Sequence, residues 1–125
     1  MDRWEAQHQF WNSFGVPAYE ANSVPDEKYL TYPYITYQAA AGGFGVEIPI
    51  NASIWDKSTS CEKADILSDT IESAISMMLP VAYNGGMYRV WAGETPFSQS
   101  MGDPNNDRIK RKLLSVNFEF MDIQK

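Results

Sequence analysis

The chain holds one histidine, His8, and one cysteine, Cys61, and these limit the chemistry its side chains can perform. A metal cluster built on imidazoles needs several of them, and a nucleophile relay needs a base beside its serine or cysteine. His8 falls in an amino-terminal helix and reads as a solvated helix residue. Cys61 falls in the first turn of a second helix, a position where a reactive thiol could be placed. It has no base beside it, so it reads as a small packed side chain. Asp103, Asn105 and Asp107 imitate the first ligands of a calcium loop, but Arg108 stands where the sharp-turn glycine belongs and Leu114 where the bidentate glutamate belongs. A turn-rich loop is the reading that remains. Gly42-Gly43-Phe44-Gly45 lacks the Lys-Ser/Thr ending and the following helix of a phosphate loop, and reads as a hairpin turn. Catalytic, metal-binding and cofactor-binding residues are therefore expected to be none.

Charge is the next source of chemistry. Arg108, Lys110, Arg111 and Lys112 place four cations in five residues, on a chain whose 16 acidic and 10 basic side chains leave a formal charge of -6. That balance argues against general affinity for nucleic acid or acidic membranes, so the cluster suits an acidic protein partner better than phosphate. Glu62, Asp65, Asp69 and Glu72 fall on nearly one face of the second helix at 100 degrees per residue and form an acidic ridge. Its plain reading is a solvated face, because a like-charged i, i+4 pair costs only about 0.2 to 0.5 kcal/mol.

The elements that position these groups follow from periodicity. Asp2 with Glu5 fits a capping box, and Trp4, Phe10, Trp11 and Phe14 recur at roughly helical spacing until Gly15 and Pro17. Pro17 to Tyr32 has no sustained period and reads as a long surface connection. A strand from about Tyr34 to Ala40 turns at Gly42-Gly43 into a second, in which Phe44, Val46, Ile48, Ile50, Ala52 and Ile54 share the buried parity and Trp55 the other. Pro49 cannot donate to a ladder, so a free edge or a bulge is expected there. Thr59 and Glu62 suggest a second capping box, and Ala64, Leu67, Ile71, Ala74 and Met78 make the core stripe of a helix ended by Pro80. Asn84-Gly85-Gly86 is a turn, Met87 to Ala92 a strand, Glu94 to Asp107 a polar loop and Ile109 onward the last strand, burying Leu114, Val116, Phe118 and Phe120. The expected fold is α+β: an antiparallel four-stranded sheet with two helices on one face, in the order α-β-β-α-β-β, over a single domain of residues 1–125.

No apolar run approaches the ~20 residues of a membrane span, and MDRWEAQH lacks the apolar core of a signal peptide, so a reducing, cytoplasmic site of folding is expected. Aromatics make up 14% of the chain, more than many cores need, and such residues often mark interfaces.

The amino-terminal Trp-rich helix ending in FGVPAYEANSVPD, then PYITY, the long strand into SIWDKS, YRVWAGETPFSQSMGD and the closing RKLLSVNFEFMDI together resemble the tail terminator proteins of long-tailed bacteriophages. These are also labelled tail completion or minor capsid proteins. The resemblance runs over nearly the whole chain and rests on pattern and a few phrases. It implies a structural virion protein without enzymatic residues that forms a hexameric ring on the tail tube, halts its polymerisation and offers the head a docking surface. Its partners would be copies of itself, the tail-tube protein and the head-tail connector proteins, with DNA passing through unbound. Assembly would take place in the bacterial cytoplasm.

A ring needs two different, complementary patches on each subunit. The candidates are the Pro49 edge, the connection around Tyr19 and Tyr29, the loop bearing Phe97 and Met101, and the cations beginning at Arg108. The acidic ridge could line a lumen and repel DNA. Two other readings stay open: a head-closure or adaptor connector of the same virion, and a small α+β ligand-binding domain or enzyme.

Overall fold

The computed structural model describes residues 2–42, 45–76, 79–103 and 106–122. Helix α1 spans Arg3–Asn12, and the capping box is present at its start. The Glu5 backbone N–H donates to the Asp2 carboxylate at 2.9 Å, and the Asp2 N–H donates to Glu5 Oε1 at 3.3 Å. Two of the helix's orphan donors are thereby satisfied. Gly15, at φ +86, takes the chain away from the helix in a conformation that side chains rarely adopt.

The sheet is larger than expected. It has seven strands, is mixed and strongly curled into a half-barrel, and runs β1-β2-β3-β7-β5-β4, with β6 also on β7. Strand β1 (Ala18–Glu20) pairs in parallel with β2 (Tyr34–Tyr37), so the segment expected to be a surface connection contributes an edge strand with Ala18 buried. A three-residue 3-10 turn, Glu27–Tyr29, lies in the rest of it. Strand β3 (Glu47–Lys57) joins β2 to β7 (Asn106–Asp122), antiparallel on both sides. Leu79–Tyr83 forms β4, paired with β5 (Gly86–Ala92) across Asn84-Gly85, where Gly85 takes φ +93. Pro80, read as the end of the second helix, lies inside β4, an edge strand that tolerates a missing donor. Ser98–Asp103, expected to be loop, is β6.

The expected parity of β3 holds for Ile50, Ala52 and Ile54, with Ile48 partly buried against the core. It stops at Val46, which precedes the strand and is 52% exposed. Phe44 lies outside the described residues, as does Met78. Leu114, Val116, Phe118 and Phe120 are all buried. Pro49 sits at a free edge. Asn51 turns its N–H and carbonyl toward Gln38, so Pro49, two residues earlier, turns its missing donor to the same side, and the β2 pairing ends at Tyr37 opposite Ala52.

Helix α2 (Glu62–Ile75) begins without the expected box. Its N-cap is Cys61, whose side chain makes no cap hydrogen bond, and the Glu62 N–H donates to Ser60 Oγ at 3.1 Å. The buried stripe is Ala64, Leu67, Ser68, Ile71 and Ile75. Ala74 is exposed: from Ile71 the core lies four residues on, not three. Both helices pack into one hydrophobic cluster with the inward residues of β2, β3, β5 and β7.

Ile71 is fully buried. Ile71→Ala should therefore lower the free energy of unfolding in urea by about 2–5 kcal/mol, whereas Val46→Ala should stay within about 0.5 kcal/mol.

Candidate interaction surface

Strand pairing places one row of side chains across the sheet's outer face, opposite the helices. Tyr34 on β2 faces Trp55 on β3, Trp55 faces Arg111 on β7, and Arg111 faces Met101 on β6. The Tyr34 and Trp55 rings stack at 6.3 Å, and the Arg111 guanidinium carbon lies 4.7 Å from the Trp55 ring centroid. Arg111 Nε donates to Ser53 Oγ at 3.1 Å, and Trp55 Nε1 donates to Thr36 Oγ1 at 2.9 Å. Each polar tip in this row is thus anchored one register step away, and the cation–π contact holds the guanidinium over the indole.

Tyr19 and Tyr32 flank Tyr34 at 6.1 and 5.3 Å and bury it, although it points away from the core. That burial, reinforced by the neighbouring phenols and Glu27, pushes the Tyr34 pKa up to about 12. Burial also pushes up Tyr37, aided by Glu20, and Tyr88 further still.

The residues expected to form patches are not gathered in one place. Met101 is 42% exposed on the outer row, but Phe97 is 8% exposed and belongs to the hydrophobic cluster, so it is no surface anchor. Its backbone carbonyl accepts from the Ser115 N–H at 2.8 Å, which fixes the chain before β6 onto β7. Gly93 makes this possible from the other end: a Cβ there would stand 2.9 Å from the Ser115 carbonyl carbon. Tyr19 is half-buried on β1, and Tyr29 is 67% exposed on the 3-10 turn, with the Lys28 ammonium 5.0 Å from its ring centroid. Arg108 is exposed at the start of β7 and already engaged.

The basic cluster divides between the two faces of β7. Arg111 points outward, whereas Lys112, of the buried parity, reaches Asp65 on α2 at 2.7 Å. Glu62, Asp65, Asp69 and Glu72 are all exposed on α2, so the ridge exists, with Asp65 tied down by Lys112. Ile66 interrupts it, 58% exposed.

His8 Nδ1 lies 3.2 Å from the Tyr37 hydroxyl, at a shallow groove of about 420 Å3 between α1 and β1 that Trp4, Glu5, Tyr19 and Glu20 also line. A second, smaller recess of about 140 Å3 lies where the chain after β5 crosses Asn51 and Ser115. Among the described residues no group of three or more His, Cys, Asp and Glu side chains could hold a metal ion. The calcium-like triplet falls partly outside them, at Asn105. No described helix is long and apolar enough to cross a membrane.

The parity of β3 alone placed Trp55 on the outward face. Its partnership with Arg111 and Tyr34 needs the register, which no local pattern carries. No protein-family model matches this chain, and no curated protein matches its sequence.

Phe97→Ala should cost about 3–5 kcal/mol of stability, while Met101→Ser should stay within about 0.5 kcal/mol, both read from urea unfolding midpoints. The raised tyrosines give a second expectation. The fold favours their neutral phenols, so their contribution is fully present below the ordinary value of 10.0 and is lost as pH rises through about 12. Urea midpoints should hold up to about pH 10 and fall steeply toward pH 12.

Proposed function

We propose that this chain is a structural protein of a bacteriophage virion, a tail terminator that closes the tail tube as a ring of its own copies, ends tube polymerisation and presents a docking surface to the head. Its partners on this reading are its own copies, the tail-tube protein and the head-tail connector proteins. DNA passes through without specific binding, and the protein works by contact without catalysis. The resemblance in element order and in phrases such as PYITY and SIWDKS motivates the reading.

One structural observation carries it further: the exposed large apolar side chains lie on separate elements. Tyr29 is on the 3-10 turn, Trp4 on α1, Ile66 on α2 and Met101 on β6. A subunit that touches two neighbours, a tube and a head-side partner needs several distinct patches of this kind. A small-molecule site would instead gather its anchors into one enclosed cavity. The groove beside His8 and Tyr37 is what favours a ligand-binding domain, but it is shallow and open, with the exposed Trp4 at its wall beside Tyr19 and the carboxylates of Glu5 and Glu20.

Virions assembled without this chain should carry tubes of uncontrolled length in electron micrographs. Tails of normal length that fail to join heads would show the head-closure or adaptor connector role instead, and normal, infectious virions would remove both.

A further inference from the structure

We propose that two copies of this chain dock head to tail, the exposed face of α2 in one copy seating on the outer sheet face of the next. The inference rests on the ring reading above and supplies its subunit contact. It starts from Arg111. A guanidinium has five N–H donors, and Arg111 uses one, on Ser53, while its guanidinium carbon lies over the Trp55 ring. The remaining donors meet no protein acceptor among the described residues. A cation fixed in place with a fork of open donors is a receptor for a carboxylate, and little side-chain entropy is left to lose when one arrives. Around it the row is apolar: Trp55 on one side and the partly exposed Met101 on the other.

The complement of that surface lies on the same chain. On α2, Ile66 is 58% exposed and sits within one helical turn of Glu62 and Asp69, neither of which makes an ion pair among the described residues. Lys63 is exposed on the same turn, so the two carboxylates leave it net acidic, and an aliphatic side chain in that setting complements an apolar strip that carries one cation. The two surfaces also face opposite ways, because α2 lies on the core side of the sheet and Arg111 points to the other. Like faces repel: ridge against ridge opposes carboxylates, and two outer faces oppose guanidinium groups. The contact is therefore heterologous, the kind that builds a ring when its rotation closes. It assigns the acidic ridge to a neighbouring subunit instead of the lumen that charge alone suggested.

Sedimentation velocity of the full chain tests this with two variants at exposed positions, Ile66→Glu on the helix face and Met101→Glu on the sheet face. Each variant alone should associate about tenfold or more weakly than wild type. Mixed one to one they should form a dimer and nothing larger, because the intact α2 face of Met101→Glu meets the intact sheet face of Ile66→Glu. Circular dichroism of each variant verifies that it is folded. Arg111→Lys should weaken association as well, since an ammonium cannot reproduce the fork. Wild-type oligomers that both variants leave intact overturn the contact while leaving the ring standing. A mixture that stays monomeric overturns it too. A wild-type chain that is monomeric even near about 1 mM overturns the contact, and tail length in virions then decides the ring reading by itself.

Discussion

One strand, β7, holds the sheet together. It pairs with β3 along eleven residues of that strand, and on its other side with β6 in its first half and β5 in its second. An alternating strand of this length cannot slip by one residue without turning Leu114, Val116, Phe118 and Phe120 out of the core. The same alternation fixes Arg111 on the outer face and Lys112 on the inner one. The register that protects the core therefore also decides which cation meets Trp55 and which meets Asp65. Core and surface are set by one geometric constraint.

Helix α1 is attached by polar bonds as much as by apolar contact. Gln7 is completely buried, and its amide clasps the backbone of Ala40, donating from Nε2 to the carbonyl at 3.0 Å and accepting from the N–H at 2.7 Å. Tyr88 adds a hydroxyl bond to the Ala6 carbonyl at 3.1 Å. Buried polar groups are costly when unpaired and nearly free when paired with each other, so these bonds contribute specificity: they tie the helix to one place along the sheet. Apolar packing by Phe10 and Trp11, which touch Phe118 and Tyr37, sets its depth. Tyr37 in turn meets the His8 imidazole, so the place of the lone histidine follows from how α1 sits.

What the sequence showed and what it hid divide along physical lines. Patterns that are strong, local and long were legible: the Asp2–Glu5 box, the alternation of β7, and the inward half of β3. Helix α2 was legible as an element but not in phase at its end, because both Ala74 and Ile75 are apolar and only packing chooses between three and four residues. The missed strands are short or locally ambiguous. β1 has three residues, β4 contains Pro80, and β6 reads Ser-Gln-Ser-Met-Gly-Asp without alternation. Each is held by its neighbour's ladder, not by its own propensity. Phe97 failed for a related reason: a lone aromatic among polar residues carries no period, so nothing local says whether it is an anchor for a partner or for its own core. The outer row was half visible, Trp55 by parity and Arg111 as part of a cluster, but their union depends on pairing between distant segments.

The division of the basic cluster has a consequence for an acidic chain. With a formal charge of -6, two copies approaching at random repel once they come within about a Debye length, ~8 Å at physiological salt, and are screened from each other beyond it. Lys112 spends its charge inside the subunit on Asp65, and Arg108 and Lys110 are engaged as well. The cation presented on the outer row is therefore Arg111, held over an indole and bonded to a serine. Concentrating attraction at one fixed point on a repelling surface makes encounter selective: most orientations are rejected, and the orientation that aligns a carboxylate with the guanidinium also brings apolar side chains into register. A chain that pins one cation on an apolar row can stay soluble by charge and still recognise a partner by geometry.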